Sequence, residues 1–167
     1  MAVNVAKGHS RGPIIIGLVS DTHSLVRQSV FSALEGVSFI LHAGDVGGDP
    51  VLDALSAIAP VRAVQGNVDE PNPRLEARIR IDVRGVSIHV SHGHEIGSPT
   101  PADLLQRYDA DVLIYGHTHK ALVHREGQRL VVNPGAAGPQ RFDIKPSVAR
   151  LTIAQGRADV EIVWLEG

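Results

Sequence analysis

Five short polar motifs hold most of the residues in this chain that could do chemistry: Asp21-Thr22-His23, Gly44-Asp45, Gly66-Asn67, His92-Gly93-His94 and Gly116-His117-Thr118-His119. Carboxylate, imidazole and amide oxygen are all donors for divalent cations. Cysteine is absent, which excludes disulfides and thiolate sites and leaves those three donor types as the available ligands. Asp21 with His23 and His117 with His119 are each spaced i, i+2. In an extended segment such residues point the same way, so the spacing predicts a pair of two-pronged metal claws. Divalent ions acidify bound water, and the set therefore points to a two-metal hydrolase.

Four of the motifs follow apolar runs of strand type, which is what would position them. Ile14 to Val19 is continuously apolar, suited to a strand buried on both faces, and Ser24 to Leu34 has helical apolar spacing. A strand over Phe39 to Leu41 leads to Gly44-Asp45. Pro50 opens a helix to about Ile58, and Val61 to Val64 is a strand stopping at Gly66-Asn67. This βαβαβ order predicts parallel strands. From Arg78 the period becomes two, with Ile79, Ile81 and Val83 alternating with charges and a turn at Arg84-Gly85 before Val86 to Val90, an antiparallel hairpin. A helix from Pro101 to Tyr108 and a strand from Val112 to Tyr115 deliver Gly116-His117. The remainder reads as strands with turns near Glu126-Gly127 and Gln155-Gly156. The expected fold class is α/β: two mixed β-sheets packed face to face, with helices on the outer faces.

Bulk properties fit one enzyme-sized domain. A chain of 167 residues can bury ~70% of its unfolded surface. Residues 1–13 lack the apolar stretch of a secretory signal and are expected to be a flexible tail before a single domain over 14–167. No apolar run is long enough to span a bilayer, so a cytoplasmic protein with no membrane partner is expected. The net charge of -2 offers no basic excess for nucleic acid, and a homo-oligomer is compatible with the composition.

Any one of these motifs is weak by itself, but five in order after strand-like runs are a stronger signal, because the carboxyl ends of parallel strands lie on one edge of a sheet, where ligands bind. The pattern Asp-x-His, Gly-Asp, Gly-Asn, His, Gly-His-x-His resembles the calcineurin-like metallophosphoesterases over roughly residues 14 to 145. The small size, His92-Gly93-His94 and Asn133-Pro134-Gly135 look most like the compact bacterial and archaeal phosphodiesterase branch. Position by position, the resemblance implies one metal held by Asp21, His23, Asp45 and His119 and a second by Asp45, Asn67, His92 and His117, with Asp45 bridging. The charges agree: two divalent ions less two carboxylates and a hydroxide leave about +1, matched to a diester at -1. Asn67 is neutral, so it preserves that residual charge.

The implied reaction is in-line attack on phosphorus by a metal-bridging hydroxide, with Asp45, Asn67 and His94 as the catalytic candidates. The metal is expected to be Mn²⁺, with Fe²⁺, Zn²⁺, Co²⁺ and Ni²⁺ compatible. The chain departs from the family at Val68, where many members carry a His able to protonate the leaving oxygen. His94 is then a candidate acid, or equally a substrate contact. Ser20, Thr22, Ser91 and Thr118 read as loop hydroxyls bonded to backbone, His42 as either a ligand-orienting or a core histidine, Asp69 as a brace on a ligand His, Asp49 as a helix cap and Arg141 as a surface residue. The partner is expected to be a small phosphate ester met by the loops Val46 to Pro50, Glu70 to Arg74, Glu95 to Ala102 and Ala136 to Arg141. The rival readings are a noncatalytic protein-binding scaffold, as in the retromer subunit that resembles these enzymes, and a nuclease or nucleotide phosphatase.

Overall fold

The computed structural model describes residues 12–166; the expected tail lies, up to residue 11, outside the described residues. Strand β1 (Ile14–Val19) is apolar throughout because both of its faces are covered. Ile16 and Leu18 face one core, and Ile15 and Val19 face another. It pairs in parallel with β2 (Phe39–His42), which pairs in parallel with β3 (Val61–Val64). The connections are α1 (Gln28–Ala33) and α2 (Asp49–Ser56), so the expected βαβαβ unit is present.

Helix α1 is shorter than the apolar spacing predicts. Ser24 has a left-handed backbone (φ 72°), and its N–H donates to the Val46 carbonyl while its hydroxyl donates to the Gly47 carbonyl. The segment that would have begun the helix is instead tied to the loop after β2. Helix α2 begins at Asp49 with Pro50 in its first turn, where the missing N–H costs nothing, and buries Val51, Leu52 and Leu55. The two-residue strand β4 (Leu75–Glu76), which has no alternation long enough to read from sequence, pairs in parallel with β3.

The hairpin β5 (Ile79–Val83) and β6 (Val86–Val90) forms as expected, with Val83 opposite Val86. Helix α3 (Pro101–Arg107) starts with a capping box in which Thr100 and Asp103 satisfy each other's main-chain N–H groups. Strand β7 (Val112–Ile114) lies parallel to β6 and to β9 (Arg129–Asn133), and β9 pairs antiparallel with β8 (Leu122–Glu126). The last hairpin, β10 (Ser147–Ala154) and β11 (Arg157–Trp164), joins the first sheet because β10 runs antiparallel to β1.

The result is two mixed sheets, ordered β11-β10-β1-β2-β3-β4 and β5-β6-β7-β9-β8. Ile16, Leu18, Leu41, Val64 and Leu151 pack against Ile88, Val90, Val112, Ile114 and Val132 between them. Outside the first sheet, Val30 of α1, Leu34 just after it, and Leu52 and Leu55 of α2 cover Ile40 and Ala63; outside the second, Leu104 of α3 covers Leu113 and Val131. This is the α/β/β/α sandwich expected. Among the described residues no helix is long and apolar enough to cross a membrane.

Candidate metal centre

Asp21 follows β1, Asp45 follows β2, Asn67 follows β3, His92 follows β6, and His117 and His119 follow β7. These five strands thus deliver their motifs at their carboxyl ends. Past the strand ends the loops stay zipped: Asp21 N–H donates to Gly44 O (2.9 Å), His23 N–H to Asp45 O (3.0 Å) and Ser24 N–H to Val46 O (3.0 Å). The second sheet joins in through His117 N–H, which donates to Asp21 Oδ2 at 3.1 Å.

The claws do not form in the way the i, i+2 spacing predicts. The backbone there is left-handed, with φ of 54° at Asp21, 44° at His23, 74° at His117 and 66° at His119, and also 56° at Asp45. Left-handed non-glycine residues cost about 1–3 kcal/mol each and persist only where the surroundings over-determine them. At these five residues the side chains converge because the chain turns sharply, whereas His92 and Asn67 have no left-handed backbone.

Each carboxylate has one oxygen satisfied by the protein and one turned toward imidazoles. Asp21 Oδ2 accepts from the Ser20 hydroxyl (2.6 Å) and from His117 N–H. Its Oδ1 lies 3.4 Å from His119 Nε2, 3.7 Å from His23 Nε2 and 3.9 Å from His92 Nε2. Asp45 Oδ1 accepts from Val68 N–H (2.9 Å), and its Oδ2 lies 3.2 Å from His92 Nε2 and 3.8 Å from His23 Nε2. Two glycines of the motifs serve this packing. A Cβ at Gly66 would overlap Asp45 Oδ1, and one at Gly116 would overlap the Ser20 hydroxyl and press on Asp21 Oδ2.

This arrangement fits cations. His92 Nδ1 lies 2.8 Å from the Ala43 carbonyl, an acceptor only, so Nδ1 carries the proton and the Nε2 lone pair faces two carboxylates. Asp21 Oδ1, His23 Nε2 and His92 Nε2 are buried and have no hydrogen-bond partner among the described residues. Buried acceptors facing one another are costly unless positive charge lies between them. The electrostatics agree. Burial opposes a charge on Asp21, yet His119, His23, His92 and Ser20 outweigh it and hold the carboxyl far below its ordinary range. Burial likewise opposes a cationic His92, and the Asp45 and Asp21 carboxylates outweigh it, so the site favours positive charge at that ring. Two groups have donor atoms within 4.8 Å of one another: Asp21, His23 and His119, and Asp21, Asp45 and His92.

The other candidate residues, His117, His94 and Asn67, belong to neither group. His117 packs edge-on to His92 at a ring separation of 5.2 Å, and His94 lies exposed at the margin, 5.4 Å from His92 and 6.4 Å from His117. Asn67 is exposed in the turn between Gly66 and Val68, both of which touch Asp45.

Several supporting roles differ from the sequence reading. Ser20 bonds the Asp21 carboxylate where backbone was expected. Asp69 braces backbone and no histidine, accepting from Gly66 N–H (2.8 Å) and Gly47 N–H (3.1 Å), because loop amides left by the strand ends need acceptors. Asp49 is no cap; it lies inside α2 and accepts from Asn72 Nδ2 at 2.7 Å. His42 is a hydrogen-bonded core histidine. Asn133, to which no role was given, donates to the Gly116 carbonyl (3.2 Å) and to Thr118 Oγ1 (3.0 Å), holding the turn that carries His117; the Asn-Pro-Gly turn was the only sequence signal for it.

Residues 14–156 match the calcineurin-like phosphoesterase superfamily domain. The chain is 34% identical over 161 residues to a probable metallophosphoesterase of Methanothermobacter thermautotrophicus, covering 90% of this chain and 92% of that protein. It is 27% identical over 139 residues to a phosphodiesterase of Methanocaldococcus jannaschii, covering 72% and 82%. Among solved structures, vacuolar protein sorting 29 of Cryptosporidium parvum superposes with a TM-score of 0.76 at 21% identity, over 93% of this chain and 99% of that one, a likeness of fold. This protein belongs to the calcineurin-like phosphoesterase superfamily.

Proposed function

We propose that the protein is a metal-dependent phosphodiesterase working with two divalent ions. Asp21, His23, Asp45 and His119 would hold one ion, and Asp45, Asn67, His92 and His117 the other, with Asp45 shared. The observation that carries this reading is the meeting of Asp21 Oδ1 and Asp45 Oδ2 with the Nε2 atoms of His23, His92 and His119 at 3.2–3.9 Å, three of those five atoms buried without a hydrogen bond. The phosphodiesterase name of the Methanocaldococcus relative supports the choice of ester.

Bound divalent ions supply Lewis acidity and an acidified water to a phosphate ester. The chain's own groups set the remaining terms. Only two carboxylates face the centre, and Asn67 adds a neutral donor, so the site stays cationic and draws an anionic ester. Ser20 and the His117 main chain fix one oxygen of Asp21, and Val68 N–H fixes one oxygen of Asp45, so neither carboxylate must reorient when substrate binds. At the margin His94 offers an imidazole to the departing ester oxygen, as donor or as contact.

The test is to strip the protein of metal, reload it separately with Mn²⁺, Zn²⁺, Fe²⁺, Co²⁺ and Ni²⁺, and compare bis(p-nitrophenyl) phosphate with p-nitrophenyl phosphate. Mn²⁺ should activate, and the diester should be favoured. A protein that binds no metal, or turns over the diester equally well when stripped, is not this enzyme. The rival reading, a protein-binding platform on the same fold, predicts no metal-dependent turnover of either ester, and that measurement separates the two.

A further inference from the structure

Beside the metal centre lies a cavity of about 290 Å³. Two of its lining residues, Gly66 and His94, also border the centre: Gly66 packs against the Asp45 carboxylate, and the His94 ring is 5.4 Å from that of His92. The cavity is too small for a whole ligand of ordinary size and suits one arm of a substrate whose reacting phosphorus sits at the centre.

Its other wall carries Arg78 and Arg107. Among the described residues neither forms an ion pair with a carboxylate, whereas Arg62, Arg74, Arg125 and Arg157 each do. Arg129 and Arg150 are spent on main-chain carbonyls. Arg107 rests over the Tyr108 ring, 5.6 Å from its centroid, so its partner there is an aromatic side chain and no carboxylate.

The one carboxylate in the cavity, Glu95, is already engaged. It accepts from Gly93 N–H at 3.0 Å and from the Tyr108 hydroxyl at 2.7 Å. Two guanidinium groups against one committed carboxylate leave an excess of one positive charge. Guanidinium forks match the geometry of phosphate oxygens, and His94 and Gly66 lead from the reacting centre into the space they line.

We infer that this cavity is a substrate subsite for a second phosphate group, so that the substrate class is a phosphodiester carrying a terminal phosphate on one arm. The inference rests on the phosphodiesterase reading for the reaction, but the subsite is tested apart from it. With Mn²⁺-loaded protein, a thymidine dinucleotide bearing a terminal phosphate should be cleaved with a kcat/KM about tenfold above that of the same dinucleotide without it, mostly through KM. In Arg78→Ala/Arg107→Ala this ratio should fall to near one. Arg78→Gln alone, exposed and conservative, should give an intermediate ratio and guards against a fold defect in the double variant. Separately, calorimetric titration of metal-stripped protein should show thymidine 5′-monophosphate binding more tightly than thymidine, since only the arginine subsite then offers positive charge to the phosphate, and the difference should vanish in the double variant. A ratio unchanged by either variant, or a preference for the monophosphate over thymidine that survives the loss of both arginines, overturns the subsite. Failure to cleave either dinucleotide with any metal overturns the phosphodiesterase reading, while the titration still decides the subsite.

Discussion

Thr22 Oγ1 lies 3.0 Å from Nε2 of His42, and this contact closes a directed chain of hydrogen bonds beneath the metal centre. Gly44 N–H donates to His42 Nδ1 at 3.1 Å, so Nε2 carries the proton and donates to Thr22, whose hydroxyl donates to the Val46 carbonyl at 2.7 Å. A neutral, fully buried imidazole thus ties the loop of Asp21 to the loop of Asp45, and burial depresses its pKa to about 4. Replacing it strands several buried groups at once. His42→Ala should cost about 2–4 kcal/mol, combining a cavity with unsatisfied partners. Denaturant unfolding of metal-free protein measures this, and an unchanged midpoint would remove the chain from the account.

On the proposed assignment, the loops of Asp45 and Asn67 should respond unequally to mutation. Asp45 faces both His92 and His23, whereas Asn67 lies in an exposed turn. Asn67→Ala should lower activity about 10–100-fold, and Asp45→Asn, which tolerates the left-handed backbone there, should lower it further and reduce the bound metal from two ions. Metal content by elemental analysis, alongside turnover, checks the order. Two retained metals and normal turnover in the Asp45 variant would take Asp45 out of the centre.

Val68 is 63% exposed, and its N–H is the group bonded to Asp45. Room and placement therefore exist for an imidazole where the chain has an isopropyl group. Val68→His should raise hydrolysis of alkyl esters about tenfold or more while leaving nitrophenyl esters nearly unchanged, because only a basic leaving oxygen needs a proton. Equal gains for both ester types would count against a missing acid.

His89 gives the stability a pH dependence unconnected with metal. Burial, with Arg78 and Arg80 nearby, lowers its folded-state pKa to about 4 from the ordinary 6.5, and the ring stacks on Tyr108 at 4.0 Å. Between those values the unfolded chain binds a proton that the folded one does not, so stability is full above pH 6.5 and is lost as the pH falls toward 4. Allowing for water reaching part of the ring, the loss should be about 1–2 kcal/mol. His42, depressed to about the same value, titrates over the same window, so His89→Phe should reduce that slope without abolishing it, measured as unfolding midpoints from pH 7 to 4 on metal-stripped protein. A variant with the same slope would place the effect elsewhere.

Sequence alone determined the longer strands and the donor types, but not the two-residue β4. Ile14 to Val19 is apolar on both faces because both faces are covered, and Ile79 to Val83 alternates because its other face meets water, so periodicity carried that information. The donor types were legible because no cysteine competes and four of the five polar motifs follow apolar runs. Contacts across long separations were not legible. Asp21 Oδ2 is set by His117 N–H, 96 residues away, and Asp69 serves Gly47 by closing two loops on one another. The left-handed turns at Asp21, His23, Asp45, His117 and His119 belong to the same class. Such conformations are locally unfavourable, so no local propensity announces them, and they hold only because neighbouring loops from both sheets supply their hydrogen bonds. Tertiary structure likewise decided that Arg78, just before a strand, and Arg107, at the end of a helix, share one cavity. Spacing along the chain cannot encode a wall formed by two elements that meet only when the second sheet packs.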